Sequence, residues 1–257
     1  VAYALAQVFM AQRDYSEDAL KVYEKAYRAH PEDQDLLHSY ARSLLVEPKT
    51  GPEAKEVYER ALTSFPEPQW LEYGIGCCEL AAGNYEEAGK RLRSALRGGV
   101  TSESLYHSLC EVYLKTRNFT AKAIPVFEQQ FPRRKSEKEF LEGYLMASID
   151  AKKTDNKVES LCQSILEVDP QFVPAYLHLA LILLQKNQVG AAIDEVNNAL
   201  QIEPNNERGL VLLAQCYLIQ NRKDEEALQA YRRALQVNPN EKETLRMMAL
   251  IFYERGQ

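Results

Sequence analysis

The chain has 257 residues, 46% of them hydrophobic, enough for a substantial core and too apolar for wholesale disorder. A formal net charge of −6 argues against a nucleic-acid binder, which carries a basic surplus. No stretch reaches the roughly 18 uninterrupted apolar residues of a membrane-spanning helix, and five cysteines without a repeated spacing do not form a disulfide framework.

The first element, VAYALAQVF, is already helical in its apolar pattern and has no capping residue before it. Residues upstream are therefore expected to have been cut away, and a signal peptide or lipid anchor could have gone with them. Without such a segment, reduced thiols favour the cytoplasm.

Short amphipathic helices then follow in pairs. In the first of each pair a small or apolar pair precedes a bulky residue: Leu5-Ala6 with Phe9, Tyr40-Ala41 with Leu44, Leu179-Ala180 with Leu183, Leu213-Ala214 with Tyr217. The second helix has a small residue near its start (Ala19, Ala54, Ala88, Ala123, Ala192, Ala227) and a small or apolar one seven residues later in most pairs (Ala26, Ala61, Ala95, Ile165, Ala199, Ala234). Tyr23, Tyr58, Leu92, Cys162, Val196 and Tyr231 lie three positions before the latter. Breaks fall at Pro31, Pro66, Val100 after Gly98-Gly99, Pro132, Pro170, Pro204 and Pro239, spaced by 32 to 38 residues. The clearest unit runs from Ala175 to Pro204, with Tyr176, Leu179, Ala180, Leu183 and Leu184 on one helix face and Gln185–Gln188 as the turn. Neither of its helices is long enough to be stable alone. Alanine at the crossings lets two backbones approach, and a larger side chain there costs about 1–3 kcal/mol.

Irregularities cluster in the middle. Arg97-Gly98-Gly99 replaces the expected proline, with glycine as a helix C-cap. Pro125 enters the first turn of a helix, where it is tolerated. The charged approach RRKSEKEFLEG suggests a bend near 132–139, dividing the chain weakly into 1–132 and 133–257. The basic run Arg133-Arg134-Lys135 reads as a solvated loop.

With a period near 34, small residues at two helix crossings, a terminal proline, and the turns DYSEDA at 14–19 and GNYEEA at 83–88, the chain resembles the tetratricopeptide-repeat (TPR) family over essentially its full length. The resemblance implies an all-α fold, a right-handed α-solenoid of seven helix-turn-helix repeats plus one final helix, Glu241 to Gly256. That last helix would leave Leu250, Ile251, Phe252 and Tyr253 exposed.

The resemblance also implies a concave binding face lined by first helices. Its register places Tyr3, His38, Arg42, Tyr73, Cys77, His107, Glu111, Leu177, Leu181, Val211 and Gln215 inward as partner-binding candidates, with Trp70 and Phe140 one turn earlier. Gly143, Ala147 and Gln7 share that side. A groove this apolar and aromatic suits an apolar or amphipathic helix or an extended peptide. Arg42 stands without the Lys-Asn-Asn-Lys-Arg set with which a TPR subgroup grips chaperone tails, so a carboxylate clamp of that kind is disfavoured. No catalytic motif is present, and His38, Cys77 and His107 lie too far apart for tight zinc geometry. The expectation is a non-catalytic protein-interaction scaffold with no cofactor, no metal, no nucleic-acid partner and no membrane insertion. Two alternatives rest on fold analogy: a pilotin-like assembly factor of a bacterial surface machine, and the regulatory arm of a larger enzyme.

Overall fold

The paired periodicity becomes paired helices in the computed structural model, which describes residues 1–65 and 68–254. The first two hairpins are α1 (Ala2–Gln12) with α2 (Glu17–Ala29) and α3 (Gln34–Val46) with α4 (Pro52–Leu62). The next two are α5 (Gln69–Ala81) with α6 (Tyr85–Arg97) and α7 (Glu103–Thr116) with α8 (Ile124–Gln130). Then come α9 (Lys138–Asp150) with α10 (Asn156–Val168), α11 (Val173–Gln185) with α12 (Val189–Ile202), and α13 (Glu207–Ile219) with α14 (Glu225–Val237). The unpaired α15 (Lys242–Glu254) follows. Two 3-10 turns, Ala121–Ala123 and Phe131–Arg133, flank α8, and no strand occurs among the described residues. The break at Pro66 and the helix end expected at Gly256 lie outside the described residues.

Local chemistry sets the helix ends. Ser16, Asp33, Ser102, Asp155, Asn206 and Asp224 each accept a hydrogen bond from an orphan amide of the helix they precede. Such a cap contributes about 1 kcal/mol. Six of the seven hairpin turns leave the first helix through a left-handed residue: Arg13, Gly83, Arg117, Lys152, Asn187 and Asn221. Gly99, with φ 96°, does the same after α6, where proline was replaced. At Gly98 the constraint is space, because an added Cβ would sit 2.5 Å from Gln69 Cβ.

The repeated small residues are buried where helices cross: Ala26, Ala61, Ala95, Ala199 and Ala234 are at most 3% exposed. The tyrosines beside them close the hairpins. The hydroxyls of Tyr23, Tyr58 and Tyr231 donate to the carbonyls of Asp14 (2.9 Å), Leu44 (3.0 Å) and Arg222 (3.0 Å). Each ring fills the core while its polar tip satisfies the end of the preceding helix or turn. Burial pushes Tyr23 and Tyr231 up to about 12 and Tyr58 higher still.

The residues group into two compact units: Val1–Asn118 with Pro125–Gln130, and Phe119–Ile124 with Phe131–Gln257. In the first, each helix packs on the next from α1 to α7, and the first helices also touch their successors, α1 on α3 and α5 on α7. In the second, α11 touches α13 and α13 touches α15 in the same way. First helices of neighbouring hairpins therefore crowd together on one side within each unit.

Two expectations about exposure are corrected. Ile251 is 1% exposed and Phe252 half-buried, because α15 packs on both α13 and α14, so only Leu250 and Tyr253 of that quartet are exposed. Arg134 is not a solvated loop residue. Its side chain is 11% exposed, pairs with Glu137 at 2.6 Å and lies over the Phe140 ring at 5.0 Å. No described helix is long and apolar enough to cross a membrane.

Candidate functional site

Two surfaces on the first helices differ in chemistry, one in each unit. In the N-terminal unit, α3 and α5 place His38, Arg42 and Trp70 together. The His38 ring meets Phe65 edge-on at 4.3 Å and tilts against Trp70 at 5.2 Å. The Arg42 guanidinium stands 5.6 Å from the Trp70 ring centre and 5.7 Å from that of Tyr15. Arg42 is exposed, whereas Tyr15, His38, Phe65 and Trp70 are half-buried. Spacings of one helical turn, His38 to Arg42, place both side chains on one face.

In the C-terminal unit, α11, α13 and α15 enclose an open cleft of about 610 Å³. Leu184, Leu218, Ile219, Met247 and Leu250 form its apolar lining, and Gln215, Asn221, Glu241, Glu243 and Arg246 its polar part. Ile219 is 58% exposed and Leu250 40%. The Arg246 guanidinium lies 3.4 Å from Glu243. Hydrogen bonds from the Thr244 side chain and, at 2.6 Å, from the Thr244 amide hold the Glu241 carboxyl below the usual range.

The predicted inward residues have varied surroundings. Tyr3 is half-buried and donates to Asp33 at 2.7 Å, with its ring on His30. Tyr73 and Cys77 are buried, with Cys77 Sγ 3.9 Å from Ser108 Oγ. Burial pushes the Cys77 and Cys216 thiols up to about 11 and Cys162 to about 12, which suits packing better than nucleophilic or metal chemistry. All five cysteines are buried and unbridged. His107 is exposed and Glu111 half-buried on α7. Phe140 is fully buried, packed against Tyr144 and Arg134. Leu177 is 3% exposed, Leu181 and Val211 are half-buried, and Gln215 is exposed in the cleft.

The structure thus brings His38, Arg42 and Trp70 together, and of the C-terminal candidates places Gln215 in the cleft lining. Sequence reasoning missed Leu218, Ile219 and Met247, while it placed Leu184 on the apolar face of its helix and Leu250 on the exposed surface of the last one without joining them to the groove. Their signal was present in the helix periodicity: Leu184 and Leu218 lie four residues beyond the small positions Ala180 and Ala214, one turn further along the same helices. Among the described residues no cluster of three or more His, Cys, Asp or Glu side chains has metal-holding geometry.

Comparison with known proteins agrees with this architecture. Family models described as "Tetratricopeptide repeat" match residues 3–67, 173–206 and 207–241, together just over half of the chain. No curated protein sequence matches significantly. Among solved structures, that of Naa15/Naa10 bound to HypK-THB superposes with a TM-score of 0.51 at 18% identity, covering 98% of this chain and 38% of that one. The MamA protein gives a TM-score of 0.46 at 15% identity over 69% of this chain and 95% of that one. Yeast Tom70 gives 0.42 at 15% over 93% and 58%.

Proposed function

The chain belongs to the tetratricopeptide-repeat family, and from that premise we propose that it is a non-catalytic protein-interaction scaffold whose first helices hold an apolar or amphipathic segment of a partner. The observation that carries this reading is the cleft on α11, α13 and α15, where Ile219 and Leu250 face water beside Leu184, Leu218 and Met247. Burying an aliphatic side chain fully is worth about 1.5–3 kcal/mol. Two half-exposed anchors recover part of that, and their neighbours supply a concave wall for a partner's own side chains. The charged and polar rim, Glu241, Glu243, Arg246 and Asn221, surrounds this patch as a rim surrounds the apolar core of an interface. Periodic anchors on a helix, or alternate side chains of an extended peptide, would fit such a groove.

A random-peptide display library selected on the intact chain tests the reading. Selected peptides are expected to bind Ile219→Glu at least tenfold more weakly, because the new carboxylate must be desolvated against apolar side chains. Helical content by circular dichroism should not change, since Ile219 is exposed. Equal binding to wild type and to both Ile219→Glu and Trp70→Ala would remove the first-helix face as the docking surface.

A further inference from the structure

The geometry points to Arg42 as an anchor for an acidic side chain, Asp or Glu, carried within the partner segment. This deepens the groove reading above and rests on it. Four arginines stand over aromatic rings. Arg60 over Tyr27 donates to the Pro31 carbonyl at 3.2 Å. Arg134 over Phe140 donates to Glu137 at 2.8 Å. Arg222 over Tyr217 donates to Asp224 and Glu226 at 2.6–2.9 Å. Arg42 meets two rings, Tyr15 and Trp70, and has no oxygen acceptor among the described residues.

The difference matters because the chain has an excess of acid, 37 Asp and Glu against 31 Lys and Arg. Carboxylates are abundant, yet none among the described residues pairs with this guanidinium. Two ring contacts hold a side chain that is otherwise costly to order, and neither is a hydrogen bond to an oxygen acceptor. The guanidinium N–H groups form a fork that fits a carboxylate in bidentate fashion. Half-buried Tyr15 and Trp70 also thin the water on one side of it, which strengthens a charge-assisted bond. A second donor in the same cluster, the buried Trp70 Nε1, has no hydrogen-bond partner among the described residues. An acidic residue flanked by apolar or aromatic ones would satisfy the guanidinium while its neighbours cover the rings.

Trp70 is the chain's only tryptophan, so its fluorescence reports this site alone. The test uses display libraries of peptides capped at both ends, so that no terminal carboxylate is present, selected in parallel on the wild-type chain and on Arg42→Gln. The wild-type pool is expected to be enriched in Asp and Glu at one position. Its peptides should shift Trp70 emission and bind at least tenfold more weakly when that residue becomes Gln or Asn. The Arg42→Gln pool should lose the enrichment, and Arg42→Lys should restore it only in part, keeping the charge without the fork. Equal acid content in both pools would overturn the assignment while leaving the groove intact. Enrichment only in a parallel uncapped library would overturn it in favour of a chain terminus. Failure of the wild-type chain to select any peptide would remove the groove reading and this inference together.

Discussion

The two first-helix surfaces are built from one repeat and differ in what they leave unsatisfied. In the N-terminal unit, rings and a guanidinium lean on one another, and what lacks a partner among the described residues is polar: Arg42 and the Trp70 indole N–H. In the C-terminal cleft Arg246 pairs with Glu243, and what lacks a cover there is apolar: Ile219 and Leu250. The small residues at helix crossings are buried in both units, so the contrast does not come from the core. It comes from positions on the first helices that packing leaves free, and there each repeat can differ without harm to the stack.

The sharpest way to separate core from surface among the predicted inward positions is Phe140→Ala. Full burial predicts a loss of about 3–5 kcal/mol, read by chemical denaturation. Trp70→Ala, at the equivalent register but half-buried, should cost clearly less. Equal costs would mean that the two sites do not differ as described. Next in size are the crossings. Ala61→Leu in one unit and Ala199→Leu in the other should each destabilise by about 1–3 kcal/mol, since both alanines are fully buried. A loss at only one would show that the units are packed by different rules.

These substitutions mark how far the fold was legible. The alanine and tyrosine positions announced helix crossings because only small residues allow close backbones, and the structure has an α-helix at each of them except Ala123, which ends a 3-10 turn just before α8. Phe140 reads differently for a reason outside its own helix. Arg134 stacks on its ring, and the 3-10 turn Phe131–Arg133 just before it sets Phe131 against Tyr144, one turn further along α9; that turn follows a seven-residue α8 rather than a full second helix. No periodicity over α9 alone contains that information. Ile251 was misread for a similar reason: with no following helix in sequence, α15 looked uncovered, but α13 and α14 already cover one side of it. The cleft residues fell one turn beyond the positions taken as inward, so the register was visible but the depth of the groove was not.

A smaller effect tests the C-terminal unit alone. His178 on α11 is buried, and its Nε2–H donates to the Lys153 carbonyl at 2.7 Å in the turn between α9 and α10, while Nδ1 has no partner among the described residues. Burial lowers its pKa below the ordinary 6.5. The unfolded chain therefore binds the proton more readily than the folded one. The contribution of neutral His178 is fully present above about pH 6.5 and declines as pH falls below it, by at most about 1.4 kcal/mol per unit. Denaturation midpoints measured from pH 7.5 to 5 should show this decline in wild type and a smaller one in His178→Gln. Parallel curves would contradict it. Smallest of all, Ile219→Ser should change stability by no more than about 0.5 kcal/mol, as expected for an exposed position, even where it weakens peptide binding.

The most direct measurement is hydrogen–deuterium exchange of the intact chain with and without a peptide selected from the library. Protection is expected over α13 and α15 or over α3 and α5, on the first helices, with α12 and α14 unchanged. Protection confined to the second helices α12 and α14, with none on first helices in either unit, would contradict the account.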